Sequence, residues 1–230
     1  VEDKKTAEAL KPYYRQFCKR PCFHDEYLPT FNLPNVTLVN TDGKGVDQIT
    51  SDGIVFDGKE YKVDCIIFAT GFEVGTDYSR RAGYQIKGVD GQSISEKWAT
   101  GQSTFHGMHV HNFPNAFFFG PTQSGFTATY TYSLDEQSVH LAHILEQAKK
   151  QNATRIEASE SAEGEWVKTI IDKARLTAPF QQSCTPGYYN NEGQVNSKPQ
   201  NNFYGGGPIE FFALMKKWRS ENHLPGLKLS

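Results

Sequence analysis

A chain of 230 residues that is 37% hydrophobic can bury one or two real cores and is too apolar to be a disordered tail. A formal net charge of −2 argues against a dedicated nucleic-acid or membrane-surface role. No apolar run approaches the ~20 residues that cross a bilayer, and Val1 to Lys5 has no signal-peptide character, so a cytoplasmic location is expected.

Thr6 to Phe17 begins as a helix, with Thr6 as N-cap and Glu8 in the first turn, and Pro12 stops it near Leu10. The basic pair Lys19-Arg20 precedes Pro21. Cys18, Cys22 and His24 lack the second pair that would complete four metal ligands, so no metal site is expected there. The four cysteines make no dense framework. Asn35 to Asn40 reads as a strand. Ile49-Thr50, Ile54 to Phe56 and Tyr61 to Val63 read as short hairpin strands, joined by turns at Ser51-Asp52-Gly53 and Asp57-Gly58-Lys59.

The next stretch organises the rest. Val63 to Phe68 is apolar at five of six positions and runs into Ala69-Thr70-Gly71-Phe72. Such a run suits a strand buried on both faces of a parallel sheet. Small residues at its end let backbone approach a ligand, and ligands of open α/β sheets sit at the carboxyl ends of strands.

Glu73 to Gly91 reads as loop and Ser95 to Ala99 as a helical turn. His106, His109 and His111 are read as a histidine-rich surface or pocket strand; a strand would put His109 and His111 on one face and His106 off it, which disfavours a metal site. Asn115 to Phe119 reads as a second buried strand, ending at Gly120-Pro121-Thr122-Gln123-Ser124, with a helix starting near Phe126. The N-terminus of such a helix would offer free N–H groups and partial positive charge. Leu134 to Lys150 carries the clearest helical periodicity, with His140 and His143 read as structural. Ser159 to Leu176 and Ile209 to Arg219 are further helices, and Cys184 to Gly193 is a polar loop containing Tyr188-Tyr189. No Gly-x-Gly-x-x-Gly loop follows a strand; Gly205-Gly206-Gly207 leads into Pro208 with the wrong spacing.

The order of Lys19-Arg20-Pro21, Tyr27-x-x-Thr30-Phe31-Asn32, Asn35 to Val39, Ala69-Thr70-Gly71-Phe72, Glu96-Lys97-Trp98 and Phe113-Pro114-Asn115 resembles the Baeyer–Villiger monooxygenases, within the flavin-containing monooxygenases. The resemblance runs from about Leu10 to the end and implies an α/β fold with two dinucleotide-binding, Rossmann-like domains, one for FAD and one for NADPH. With both phosphate loops missing, it implies a carboxyl-terminal portion: residues 1–63 from the NADPH domain and 64–230 from the FAD domain, with a substrate and cofactor loop over 181–204. The amino-terminal half of the same enzyme is then the expected partner.

The family implies roles residue by residue. Arg20 matches the arginine over the flavin, where a permanent cation stabilises anionic oxygen. Lys19 matches a residue that contacts the NADPH ribose phosphate. Ala69, Thr70, Gly71, Phe72 and the Gly120, Pro121, Thr122, Gln123, Ser124 segment are implied cofactor contacts. Phe126, Cys184, Tyr188 and Tyr189 are implied at the substrate pocket. Cys184 stands where the family often has a tryptophan, and the form of this loop resembles the subgroup acting on large cyclic and steroidal ketones. The implied reaction inserts one oxygen of O2 beside a ketone carbonyl. Oxygenation at nitrogen or sulfur is the sister family's alternative, which the arginine at position 20 disfavours. A fragment that is inactive without its other half is the non-catalytic alternative.

Overall fold

A computed structural model describes residues 1–71, 78–174, 178–194 and 198–230. The chain divides into two compact units, Val1–Glu73 and Val74–Ser230. The boundary between these units follows Glu73, later in the chain than the expected division at 63/64.

The first unit starts with α1 (Lys4–Ala9), whose N-cap is Asp3 rather than Thr6. The Asp3 carboxylate accepts the Thr6 N–H at 2.7 Å, the ordinary way a first-turn N–H is satisfied. A short α2 (Tyr27–Thr30) follows. Strands β1 (Gln48–Ile49), β2 (Gly53–Phe56) and β3 (Lys59–Lys62) form an antiparallel sheet in sequence order. The register pairs Ile49 with Ile54 and Ile54 with Tyr61. Gly53 is obligatory in β2, because any Cβ there would overlap the main chain of Tyr61. Among the described residues of this unit only Cys18 and Gly53 are buried.

Two predicted strands do not form. Residues 35–40 and 63–71 have no regular structure, and Ile67 and Phe68 are 85% and 71% exposed. A strand exists only by a ladder of hydrogen bonds to a neighbour, and among the described residues the segment 63–71 has just one such bond, from Val63 N–H to the Asp52 carbonyl at 3.1 Å.

The second unit is helical, with one small sheet. It comprises α3 (Tyr78–Ala82), α4 (Ile94–Lys97), α5 (Tyr130–Lys150), β4 (Ile156–Ala158), α6 (Glu160–Ala174), α7 (Ala178–Gln182), α8 (Pro208–Ser220) and β5 (Leu227–Leu229). Strands β4 and β5 pair antiparallel, Ile156 opposite Leu229. The core is built from Ile144 of α5, Trp166 and Ile170 of α6, and Phe211, Met215 and Trp218 of α8. A second cluster joins Ile94, Trp98, Val110, Phe113 and Phe118. A capping box closes α4: the Ser93 hydroxyl accepts the Glu96 N–H, and the Glu96 carboxylate accepts the Ser93 N–H.

The predicted strand at 115–119 is reduced to one isolated bridge, between His109 and Phe117. The helix expected near Phe126 starts at Tyr130, so the 120–124 segment is not a helix N-terminus. No parallel sheet is present among the described residues, and no described helix is long and apolar enough to cross a membrane.

Candidate active site

The site residues expected from sequence fall in both units. In the first, Lys19 is half-buried and Arg20 exposed. The Lys19 ammonium lies over the Tyr14 ring, 5.6 Å from its centroid. Ala69, Thr70 and Gly71 are exposed. Gly71 has φ +105°, and a Cβ there would meet nothing within 4 Å among the described residues. Its backbone is open to an approaching group in a conformation that side chains disfavour. Phe72 lies outside the described residues.

In the second unit the segment 120–124 is a turn held from behind. Gln123 and Ser124 are completely buried. The Gln123 side-chain oxygen accepts from Thr104 N–H at 3.1 Å and from the Thr104 hydroxyl at 2.5 Å. Its amide nitrogen donates to the carbonyls of Gln102 at 2.8 Å and Gln200 at 3.0 Å. Ser124 donates to the Gly120 carbonyl at 2.6 Å and accepts from Gln137 at 3.0 Å. These side chains are spent on the fold. Gly120, Pro121 and Thr122 are partly exposed and remain for contact with a ligand. Among the described residues, a Cβ at Gly120 would meet only the Tyr78 hydroxyl, at 4.0 Å.

The aromatic candidates do meet. Phe126 lies 6.2 Å from Tyr189, and Tyr189 lies 4.3 Å from Tyr188, centroid to centroid. Phe203, which sequence reasoning missed, stacks on Phe126 at 4.6 Å. Its position just before Tyr204-Gly205-Gly206-Gly207 was the available signal.

Asn190 organises the 181–193 loop. Its side-chain oxygen accepts from the N–H groups of Gly187 at 2.9 Å and Gly193 at 3.1 Å. Its nitrogen donates to the carbonyls of Gln181, Cys184 and Thr185 at 3.2–3.3 Å. Cys184 is thereby fixed through its main chain.

Of the three histidines read as a surface or pocket strand, His106 and His109 are instead core and His111 is half-buried. His106 and His109 are buried in a turn, with His106 at φ +57° and Phe105 N–H bonded to the His109 carbonyl. His140 of α5 joins them, 5.5 Å from His106 and 6.5 Å from His109. Both ring nitrogens of His109 and of His140 lack a hydrogen-bond partner among the described residues. Burial drives the pKa values of His109 and His140 down to about 3, and that of His106 well below its ordinary value. All three are neutral near pH 7.

Another buried group, Glu163 of α6, accepts from the Ser103 hydroxyl, from His111 N–H at 2.7 Å and from the Lys97 ammonium at 3.1 Å. It ties α4 and the 103–111 segment to α6.

No protein-family model matches the chain. Pentalenolactone D synthase of Streptomyces arenae is 50% identical over 232 aligned residues, covering 100% of this chain and 39% of that protein. The FAD-binding monooxygenase hmp7 of Hypomyces subiculosus is 42% identical over 99% of the chain and 38% of its own length. The Baeyer–Villiger monooxygenase ATR8 of Stachybotrys chlorohalonatus is 41% identical over 100% of the chain and 37% of its length. Among solved structures, the polycyclic ketone monooxygenase of Thermothelomyces thermophila matches with a TM-score of 0.91 and 36% identity, over 100% of this chain and 38% of that one. Cyclohexanone monooxygenase of Rhodococcus sp. Phi1 bound to NADP+ matches at 0.79 and 27%, over 100% and 42%.

Along its whole length the chain is similar to part of the Baeyer–Villiger monooxygenases. It spans about two-fifths of the length of the relatives it matches. Within this chain, Gly120, Thr122, Phe126, Tyr188 and Tyr189 lie in one unit, while Lys19, Arg20 and Ala69 to Gly71 lie in the other.

Proposed function

We propose that the enzyme to which this chain contributes is an FAD- and NADPH-dependent Baeyer–Villiger monooxygenase acting on large cyclic ketones, with the chain as its carboxyl-terminal portion. The observation that carries this reading is the match along the whole chain to a relative named as a Baeyer–Villiger monooxygenase, at 41% identity. The balance is ketone, O2, NADPH and a proton in; ester or lactone, NADP+ and water out. Bound FAD, reduced by NADPH, supplies the electrons that activate O2.

The chain's residues fit such a group. At Gly71 and Gly120 the backbone is uncovered where a Cβ would project, which suits close approach of a flat ring or a phosphate. Ala69, Thr70, Gly71 and Phe72 are assigned to the cofactor, as are Gly120, Pro121 and Thr122. Gln123 and Ser124 support that turn from inside. Arg20 holds a permanent positive charge for the anionic oxygen that attacks the ketone carbonyl. Lys19 is assigned to the phosphate that distinguishes NADPH from NADH. Phe126, Tyr188, Tyr189 and Phe203 offer aromatic surface for a bulky ketone, with Cys184 on the same loop as the tyrosines. The Rossmann-like frame is completed by strands from the amino-terminal half of the enzyme, and a cytoplasmic location belongs to the same reading.

The decisive experiment is Arg20→Ala in the complete enzyme. NADPH should still reduce the flavin while lactone formation is lost. Lactone formation at the wild-type rate would overturn the assignment. Lys19→Ala should raise KM for NADPH about tenfold or more and leave KM for NADH nearly unchanged, since a hydrogen bond to a charged group is at stake. An equal effect on both cofactors would remove Lys19 from that role.

A further inference from the structure

Gln137 lies on α5 with its carboxamide turned into the protein, and the residue is 5% exposed. Its oxygen accepts the Gly120 N–H at 3.2 Å. Its nitrogen donates to the Gly120 carbonyl at 2.7 Å and to the Ser124 hydroxyl at 3.0 Å. Ser124 donates to the same carbonyl at 2.6 Å. One side-chain amide therefore gives to and takes from the main chain of one residue, as an adjacent β-strand would. The segment before Gly120 makes only one isolated bridge, so Gln137 supplies locally what a ladder would have supplied.

Among the described residues the clamp acts from one side. Gln137 and Ser124 hold Gly120 from within, whereas a Cβ on Gly120 would meet only the Tyr78 hydroxyl, 4.0 Å away. The open side is the one assigned above to the flavin. Only a neutral amide of this length satisfies all the partners. A carboxylate at the same place would accept from Gly120 N–H but repel the Gly120 carbonyl. A leucine would leave the Gly120 N–H unmatched and its carbonyl with the Ser124 hydroxyl alone. Because the turn is not backed by a helix N-terminus, nothing regular would restore its geometry once the amide is gone.

We propose that Gln137 is a positioning residue for the flavin: it fixes the Gly120–Thr122 turn against which the cofactor rests, without touching the cofactor itself. The proposal rests on the reading of that turn as a flavin contact.

The test uses the complete holoenzyme with Gln137→Leu, Gln137→Glu and Gly120→Val, measuring FAD dissociation, the visible circular dichroism of bound flavin, and far-ultraviolet circular dichroism as a check on folding. In Gln137→Leu the dissociation constant for FAD should rise about tenfold, from the loss of the paired main-chain bonds. The flavin's visible signal should change while the far-ultraviolet signal stays. Gln137→Glu, which keeps the bond to Gly120 N–H, should change both flavin readouts in the same direction by less, and it decides the matter if Gln137→Leu does not fold. Gly120→Val puts bulk on the open side and should weaken FAD at least as much. If Gly120→Val weakens FAD while folded Gln137 variants keep wild-type affinity and visible signal, Gln137 has no positioning role and the turn remains a flavin contact. If Gly120→Val leaves FAD untouched, the flavin reading of the turn is itself overturned, and this proposal with it.

Discussion

Trp166 donates its indole N–H to the main-chain oxygen of Gln123 at 3.1 Å. The bond joins α6 to the turn at 120–124, and Gln123 holds left-handed φ at +59° there. The backbone is thus pinned at the residue whose side chain also binds Thr104, Gln102 and Gln200. Gln123→Leu should cost on the order of 2–4 kcal/mol, because it strips partners from several buried groups at once. Trp166→Phe removes one hydrogen bond and part of one ring. Denaturant midpoints of the complete enzyme compare the two. If Gln123→Leu unfolds at the wild-type midpoint, Gln123 is not the node described.

The histidine core predicts acid sensitivity. His106 is faced by His140 and His109, and His140 by His109, Arg219 and His143, so protonation meets both desolvation and positive neighbours. In the unfolded chain a histidine titrates near 6.5. His109 and His140 stay neutral in the fold down to about 3. The unfolded state therefore binds more protons between these values. The contribution is fully present above the unfolded pKa and is lost as pH falls from about 6.5 toward 3. At pH 5 each histidine should have withdrawn on the order of 2 kcal/mol. Unfolding midpoints at pH 8 and pH 5 measure this, and His140→Phe should flatten the slope. A slope unchanged in that variant would assign acid sensitivity elsewhere.

What the sequence revealed divides along a physical line. Helices that bury their own apolar stripe were legible from periodicity: Ile144 and Ala148 on α5 and Trp166 and Ile170 on α6 appear where spacing put them. The hairpin strands were legible from their turns, since β1 to β3 bond to one another. Residues 63–68 and 115–119 were misread because a strand depends on partners that no local pattern contains. Buried amides such as Gln123, Gln137 and Asn190 carry no periodicity, and their roles follow only from which carbonyls lie within reach. The histidines misled for a similar reason: spacing fitted a strand, whereas His106 turns the chain at positive φ.

The exposed run at Ile67-Phe68 carries its own expectation. Large apolar side chains this exposed, beside strand-forming sequence without a partner, favour association between chains. Residues 1–230 produced alone should aggregate and retain no FAD, and coexpression with the remaining part of the enzyme should restore solubility and flavin together. Ile67→Lys with Phe68→Lys should raise solubility of the isolated chain yet prevent that rescue. A soluble, cooperatively unfolding isolated chain would show that this stretch needs no cover.

Asn190 offers a test of the loop that carries Cys184 and the two tyrosines. Its side chain accepts two N–H groups and donates to three carbonyls, so loss of the amide should release the 181–193 segment while α6 and α8 stand. Asn190→Asp keeps the acceptor for Gly187 and Gly193 but replaces the donor with an oxygen facing the Gln181, Cys184 and Thr185 carbonyls. It should therefore loosen the loop as much as Asn190→Ala, although it is nearly isosteric, because buried like-signed oxygens repel where the amide attracted. Amide hydrogen exchange at Gly187 and Gly193 reports the effect directly. Exchange should accelerate about tenfold or more in either variant, corresponding to bonds of on the order of 1–2 kcal/mol. Exchange elsewhere in the unit should not move. If Asp preserves protection as well as Asn does, the donor half of the side chain is idle, and the loop is held by its two glycine N–H groups alone.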